Sequence, residues 1–166
     1  MKYLIIPFVA LLFSCSNPVK DTKTTENAYG TGEFILPKTW DKGFSISLYT
    51  GGGMINESEN ILFSADSCFY HHSVNNVDST KRFTLTPKEK EEILTKLGTF
   101  KVGAIENITT PITYDKETNS MCFTNLPQES YCLETSATKE IKESDVPNFN
   151  GAYSYLWQLA LTKSKK

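Results

Sequence analysis

Residues 61–98 read ILFSADSCFYHHSVNNVDSTKRFTLTPKEKEEILTKLG, and this stretch decides the fold because strand signals pass directly into a helix signal. From Ile61 to His71 the alternation predicts one strand, with Phe63, Ala65 and Phe69 on one face and Leu62, Cys68 and Tyr70 on the other. Apolar groups on both faces suit a central strand. Asn75 to Ser79 is rich in turn formers and reads as a loop, and Lys81 to Leu85 reads as the next strand. Thr86-Pro87-Lys88-Glu89 then opens a helix. Threonine can cap it, proline takes the first helical position, and glutamate three residues on completes a capping box. Ile93, Leu94 and Leu97 supply a buried stripe and Gly98 a stop, which predicts a helix over 87–97.

Upstream, Phe34-Ile35-Leu36 is short and apolar before Pro37, and Phe44, Ile46 and Leu48 alternate with Ser45, Ser47 and Tyr49 as a half-buried strand. Gly51-Gly52-Gly53 lacks the Gly-Lys-Ser/Thr and the helix that a phosphate-cradling loop needs, so it reads as a turn, with Glu57 and Glu59 in the loop after it. Downstream, Phe100 to Ile105 reads as a strand or an extended connection. Pro111 to Tyr114 and Ser120 to Thr124 read as strands around the turn Asp115 to Asn119, and Glu129 to Thr135 as a strand after the turn Asn125 to Gln128. Phe149, Tyr153, Leu156 and Ala160 share one face of a last helix, about Asn148 to Lys163. Each half thus reads as a three-strand meander followed by a helix, without residue identity between the halves. The expected fold class is α+β: a two-layer sandwich of an antiparallel meander sheet with both helices packed on one face.

The start of the chain has a different character. Lys2 precedes an apolar run from Leu4 to Phe13, broken only by Pro7. A run of about ten residues is half the roughly 20 needed to span a bilayer, and it fits a signal-peptide core. Leu12-Phe13-Ser14-Cys15 follows and resembles the lipobox of bacterial type II signal peptides. That resemblance implies cleavage after Ser14, a thioether from Cys15 to diacylglycerol, and usually acylation of the new amino group. Leu12 matches the family's leucine, whereas Phe13 is bulkier than usual. Two or more acyl chains hold a protein firmly to a membrane. The expected organisation is a signal peptide over 1–14, the lipidated cysteine and a polar tether over 15–32, and one α+β domain over 33–166. As a random coil, the tether of about 16 residues spans roughly 20–24 Å. Ser16 is not the aspartate that in some bacteria retains lipoproteins at the inner membrane, which points to the outer membrane. The layout of strands, a Leu85-Thr86-x-x-Glu89 helix, strands and a second helix resembles small exported lipoproteins, and this resemblance implies no activity.

Without residues 1–14 the chain has 152 residues, with 16 basic against 19 acidic side chains and a net charge of −3. That is one domain's length with a real core, and its mild acidity gives no basis for nucleic-acid binding. The tail Lys163-Ser164-Lys165-Lys166 reads as solvation of a helix end. Export implies a compartment in which disulfides persist. Cys68, Cys122 and Cys132 remain after the lipid site, an odd number that allows one internal bridge. Cys122 and Cys132 flank Pro127 symmetrically, so a hairpin would place them face to face, about 4.5–5.5 Å apart and within disulfide range. Pairing of Cys68 with one of them is the competing arrangement.

Asp66, Cys68, His71 and His72 are the densest group of reactive side chains. On one extended strand Asp66, Cys68 and His72 would share a side, with His71 on the other. Cys68 and His72 would then lie roughly 13 Å apart, too far for a nucleophile–base pair or for a shared zinc ion. Cys68 therefore reads as a small buried hydrophobe, and no metal site or cofactor is expected. Glu89, Glu91 and Glu92 read as a solvated helix face. Tyr153 and Trp157 read as core aromatics. Trp40, in a polar loop, is the better candidate for an exposed contact, although packing back onto the domain is the plain reading. Asp78-Ser79-Thr80 resembles a short O-glycosylation acceptor motif of some Gram-negative bacteria, which would place a glycan on Ser79, against an ordinary turn. With no catalytic constellation visible, the expectation is a non-catalytic, lipid-anchored envelope domain. It would bind a protein or envelope component through a sheet face or loops. The alternative is an inhibitor of an exported enzyme that presents the loop Thr50 to Asn60, and a hydrolase fits least.

Overall fold

The structure is a computed structural model that describes residues 34–54, 56–126 and 130–165. The signal segment, Cys15, the tether, Pro127 and Gln128 of the second turn and the start of its following strand at Glu129 lie outside the described residues. Two sheets and two helices make up an α+β fold. The main sheet is antiparallel with strand order β4-β3-β2-β1-β6-β7. Its strands are β1 (Phe44–Gly52), β2 (Glu57–Phe63), β3 (Cys68–Val74), β4 (Val77–Phe83), β6 (Glu117–Asn125) and β7 (Ser130–Thr135). A small sheet pairs β5 (Asn107–Thr109) with β8 (Lys139–Ile141). Helices α1 (Pro87–Thr99) and α2 (Val146–Ser164) pack on one face of the main sheet, as the two-layer expectation has it. No helix among the described residues is long and apolar enough to cross a membrane.

The core follows from strand alternation. Phe44, Ile46 and Leu48 of β1, Ile61 and Phe63 of β2, Cys68 of β3, Met121 and Phe123 of β6, and Leu133 of β7 are all buried. Ile93 and Leu97 of α1 and Phe149, Ala152, Leu156 and Ala160 of α2 close over them. The capping box at Thr86 forms as read: Glu89 donates its backbone N–H to the Thr86 hydroxyl, and the Glu89 carboxylate accepts the Thr86 N–H at 2.8 Å. Gly98, expected to stop α1, lies inside it, and Phe100 is the C-cap.

The largest correction concerns Ile61 to His71, which is not one strand. Ser64 to Ser67 are small or polar turn formers, and the Ser64 hydroxyl donates to the Ser67 carbonyl at 2.5 Å, so the chain reverses there. The reversal resets the alternation. Phe63, Cys68 and Tyr70 face the helices, while Leu62 and Phe69 pair on the opposite, open face. The expected loop Asn75 to Ser79 shrinks to a two-residue turn with Asn75 and Asn76 both at positive φ, the geometry that matches strand twist in a tight hairpin. Strand β4 consequently starts at Val77 and ends before Leu85. Phe100 to Ile105 is not a strand either: Lys101 adopts φ 51° and a 3₁₀ turn follows at Val102–Ala104. Pro111 to Tyr114 forms no strand, because Asp115 at φ 60° turns the chain and pairing begins only at Glu117. The halves do not repeat, since four strands precede α1.

Cys122 and Cys132 face each other across β6 and β7 and form the disulfide, leaving Cys68 free and buried. Trp40 packs back onto the domain, edge-on to Phe44 with ring centroids 4.9 Å apart. Lys163 does not solvate a helix end, because it pairs with Glu89 of α1.

Candidate functional site

Three rows run across the helix-facing side of the main sheet, and their chemistry changes from one end to the other. The first is apolar, from Phe83 and Cys68 through Phe63, Ile46 and Phe123 to Tyr131. The second, from Lys81 through Tyr70, Ile61, Leu48 and Met121 to Leu133, is apolar at its centre. The third is polar throughout: Ser79, His72, Glu59, Thr50, Asn119 and Thr135 stand side by side on successive strands. Residues along a strand that differ by two share a face, so Glu57 and Glu117 extend this polar end by one more step. The sheet has outrun its helical cover here, and its inner face opens to solvent.

Tyr153 marks where the cover stops. Its hydroxyl donates to the Tyr49 carbonyl at 3.0 Å and lies 3.3 Å from Asn119 Oδ1, and its ring stacks on Trp157 of the same helix. Burial pushes the Tyr153 phenol well above its ordinary pKa, so it stays a donor. Beyond it lies a cleft of about 480 Å³ lined by Thr50, Gly52, Glu57, Glu59, Asp115 and Glu117, among others. Gly52 lines it as the chain leaves β1. At φ +88° it adopts a backbone form that side chains rarely take, and the space where a Cβ would point is open.

Four carboxylates thus converge on one cleft. Thr50 donates its hydroxyl to Glu117 Oε1 at 2.9 Å, and Tyr70 donates to Glu59 Oε1 at 2.5 Å. Burial, then Glu59 itself, holds the Tyr70 phenol protonated. His72 Nε2 lies 2.7 Å from Glu57 Oε1 and 3.9 Å from Glu59 Oε1. The ligand atoms of Glu57, Glu59 and His72 all lie within 4.8 Å of one another. Two unit negative charges about 5 Å apart repel by about 3–4 kcal/mol at an effective dielectric near 20. No lysine or arginine forms an ion pair with Glu57, Glu59, Asp115 or Glu117 among the described residues. The arrangement favours positive charge in the cleft.

The group singled out in the sequence is dispersed. Asp66 sits in the β2–β3 turn beside Lys42, 3.6 Å away on the surface. Cys68 points into the core, where its thiol donates to the Ser64 carbonyl and burial raises its pKa. His71 faces the open side, with Nδ1 2.9 Å from the Thr80 hydroxyl. His72 turns to the two glutamates, which lie on β2 and not in the expected loop. Ser79 stands opposite His72 on the exposed edge strand β4. Most of Thr50 to Asn60 belongs to the strands of the β1–β2 hairpin, since β1 runs to Gly52 and β2 begins at Glu57.

Glu57, Glu59, Tyr70 and Glu117 were not legible as a group. Glu-x-Glu at a spacing of two before Ile61 and Phe63 is the sequence signal for one strand face, and the hairpin turn at Ser64 to Ser67 brings His72 opposite Glu59. The chain matches no protein-family model and no curated protein, and the reading of this site therefore rests on its own residues.

Proposed function

We propose that this chain is a non-catalytic, lipid-anchored binding domain of the cell envelope that uses the acidic cleft to hold a positively charged ligand. Four carboxylates around one cleft, with no lysine or arginine ion pair to them among the described residues, carry this reading. The lipobox-like Leu12-Phe13-Ser14-Cys15 supports the anchor, with Cys15 as the lipidated residue and the outer membrane as the favoured location. The ligand is a cationic segment of an envelope protein, or an envelope component of like charge. Exposed carboxylates attract such a partner at long range and lose that attraction as salt rises. The burial of Cys68 with its thiol on the Ser64 carbonyl, and the engagement of His71 by Thr80 and of His72 by Glu57, support a role in binding and not in covalent catalysis.

A lysine-rich peptide, pentalysine, titrated into the full-length chain in detergent is the test. Binding is expected at low salt, weakened several-fold at 0.5 M salt and in the double variant Glu57→Gln/Glu117→Gln. It should be unchanged in Glu91→Gln on the surface of α1. No binding to the parent chain, or equal binding to the double variant, would contradict the proposal.

A further inference from the structure

We infer that Glu57, Glu59 and His72 form a site for one divalent transition-metal ion at the edge of the acidic cleft, with zinc as the ion that best matches its donors. The inference rests on the cleft as the ligand-facing end of the domain and names the ion that it holds. Three features separate this group from an ordinary acidic surface. First, one of the three donors is an imidazole nitrogen. Calcium and magnesium take oxygen ligands, whereas zinc combines histidine nitrogen with carboxylate oxygen. Second, the donors already converge. Three atoms at bonding distance of about 2.0–2.2 Å from one ion lie within roughly 3.5–4 Å of each other, and these lie within 4.8 Å. Side-chain adjustments of about 1 Å, which draw in the wider separations and open the 2.7 Å His72–Glu57 contact, bring the set to that spacing, and the partly exposed Glu57 has the freedom to make them. Third, Glu59 is oriented from outside the set by the Tyr70 hydroxyl at 2.5 Å, the outer-shell partner that ligating carboxylates have.

The strand geometry explains the convergence. Glu57 and Glu59 lie two residues apart on one face of β2, and His72 stands directly across from Glu59 on β3. A hairpin is rigid enough to hold three ligands before the ion arrives, which limits the ordering cost of binding. Three protein ligands leave one tetrahedral position of zinc free, for water or for a donor atom of the bound partner. Glu57 and Glu59 line the cleft together with Gly53 and Met54, so the site adjoins a space with room for a ligand.

The test uses the full-length chain in detergent, stripped with EDTA and then dialysed against Zn²⁺. One zinc per chain is expected, with affinity at least tenfold weaker in Glu57→Gln, Glu59→Gln and His72→Gln and unchanged in His71→Gln. Thermal unfolding without metal checks that each variant folds. Zinc X-ray absorption of the parent chain gives an independent reading that does not depend on the variants. A nitrogen/oxygen shell with imidazole scattering is expected, and a sulfur shell would overturn the assignment. So would the lack of stoichiometric zinc, or undiminished binding by folded His72→Gln. If pentalysine binds the cleft but zinc does not, the metal site falls and the cationic-ligand reading stands. If neither binds, both fall.

Discussion

Lys163 Nζ lies 2.6 Å from Glu89 Oε1, which ties the last turn of α2 to the first turn of α1. Both side chains are about three-quarters or more shielded, and the same Glu89 carboxylate also accepts the Thr86 N–H of the capping box. The hydrogen bond from Lys163, and next the one from the Thr86 backbone, hold the Glu89 carboxyl below its ordinary pKa. One carboxylate therefore serves a helix start and a helix–helix clasp.

Glu89→Gln keeps an acceptor for the Thr86 N–H and should cost about 1–2 kcal/mol at pH 7, from the weakened charge-assisted bonds to Lys163 and to that N–H. A folded-state pKa below the unfolded one stabilises the protein above the unfolded value, near 4.3, and this gain disappears as pH falls through the lowered folded pKa. Urea unfolding of parent and variant should thus differ at pH 7 and converge toward pH 3. A difference that persists undiminished in acid would count against the clasp.

Cys122 and Cys132 close a loop with a sequence separation of 10 residues, for which chain entropy gives about 2.5–3 kcal/mol of stabilisation. The double variant Cys122→Ser/Cys132→Ser should lose about that much in denaturant unfolding. Non-reducing peptide mapping should find these two cysteines joined and Cys68 free. Recovery of Cys68 in the bridged peptide would reject the pairing.

Cys68 should react with iodoacetamide far more slowly in the folded chain than in urea, because burial both shields the thiol and raises its pKa. Cys68→Ala should leave pentalysine binding unchanged. Rapid alkylation of the native chain would show that the thiol is not enclosed as described.

Gly103 supports the segment before β1. The Phe34 N–H donates to its carbonyl at 3.2 Å, and a Cβ on Gly103 would meet the Phe34 carbonyl oxygen at 1.8 Å. Backbone cannot yield as a long side chain can, so Gly103→Ala should destabilise the domain by about 1–3 kcal/mol. An unchanged unfolding midpoint would mean that Phe34 does not dock there.

Local signals were legible where they stood alone. The capping box at Thr86, the stripe of Ile93, Leu94 and Leu97, and the alternation of Phe44, Ile46 and Leu48 are each complete within a few residues, and each forms, with Leu94 only partly buried at the edge of its stripe. The facing cysteines were legible because their spacing is symmetric about a turn. The turn at Ser64 to Ser67 was hidden by apolar residues on both sides that fit one strand as well as two, and with it went the facing assignment of Phe69. The pair β5–β8 depends on contacts distant in sequence, and the turn at Lys101 puts a non-glycine residue at positive φ, which its residue type does not signal. The candidate site was illegible for the same reason, because Glu59 meets His72 only after that hidden turn.

The mass of the mature N-terminal peptide tests the tethered-domain reading most directly. Cleavage after Ser14 should leave Cys15 as the first residue, carrying diacylglycerol on sulfur and an acyl chain on its amino group. Labelling with a tagged fatty acid should disappear in Cys15→Ala. A mature chain that begins at another residue, or a Cys15 found unmodified in the envelope fraction, would contradict the anchor.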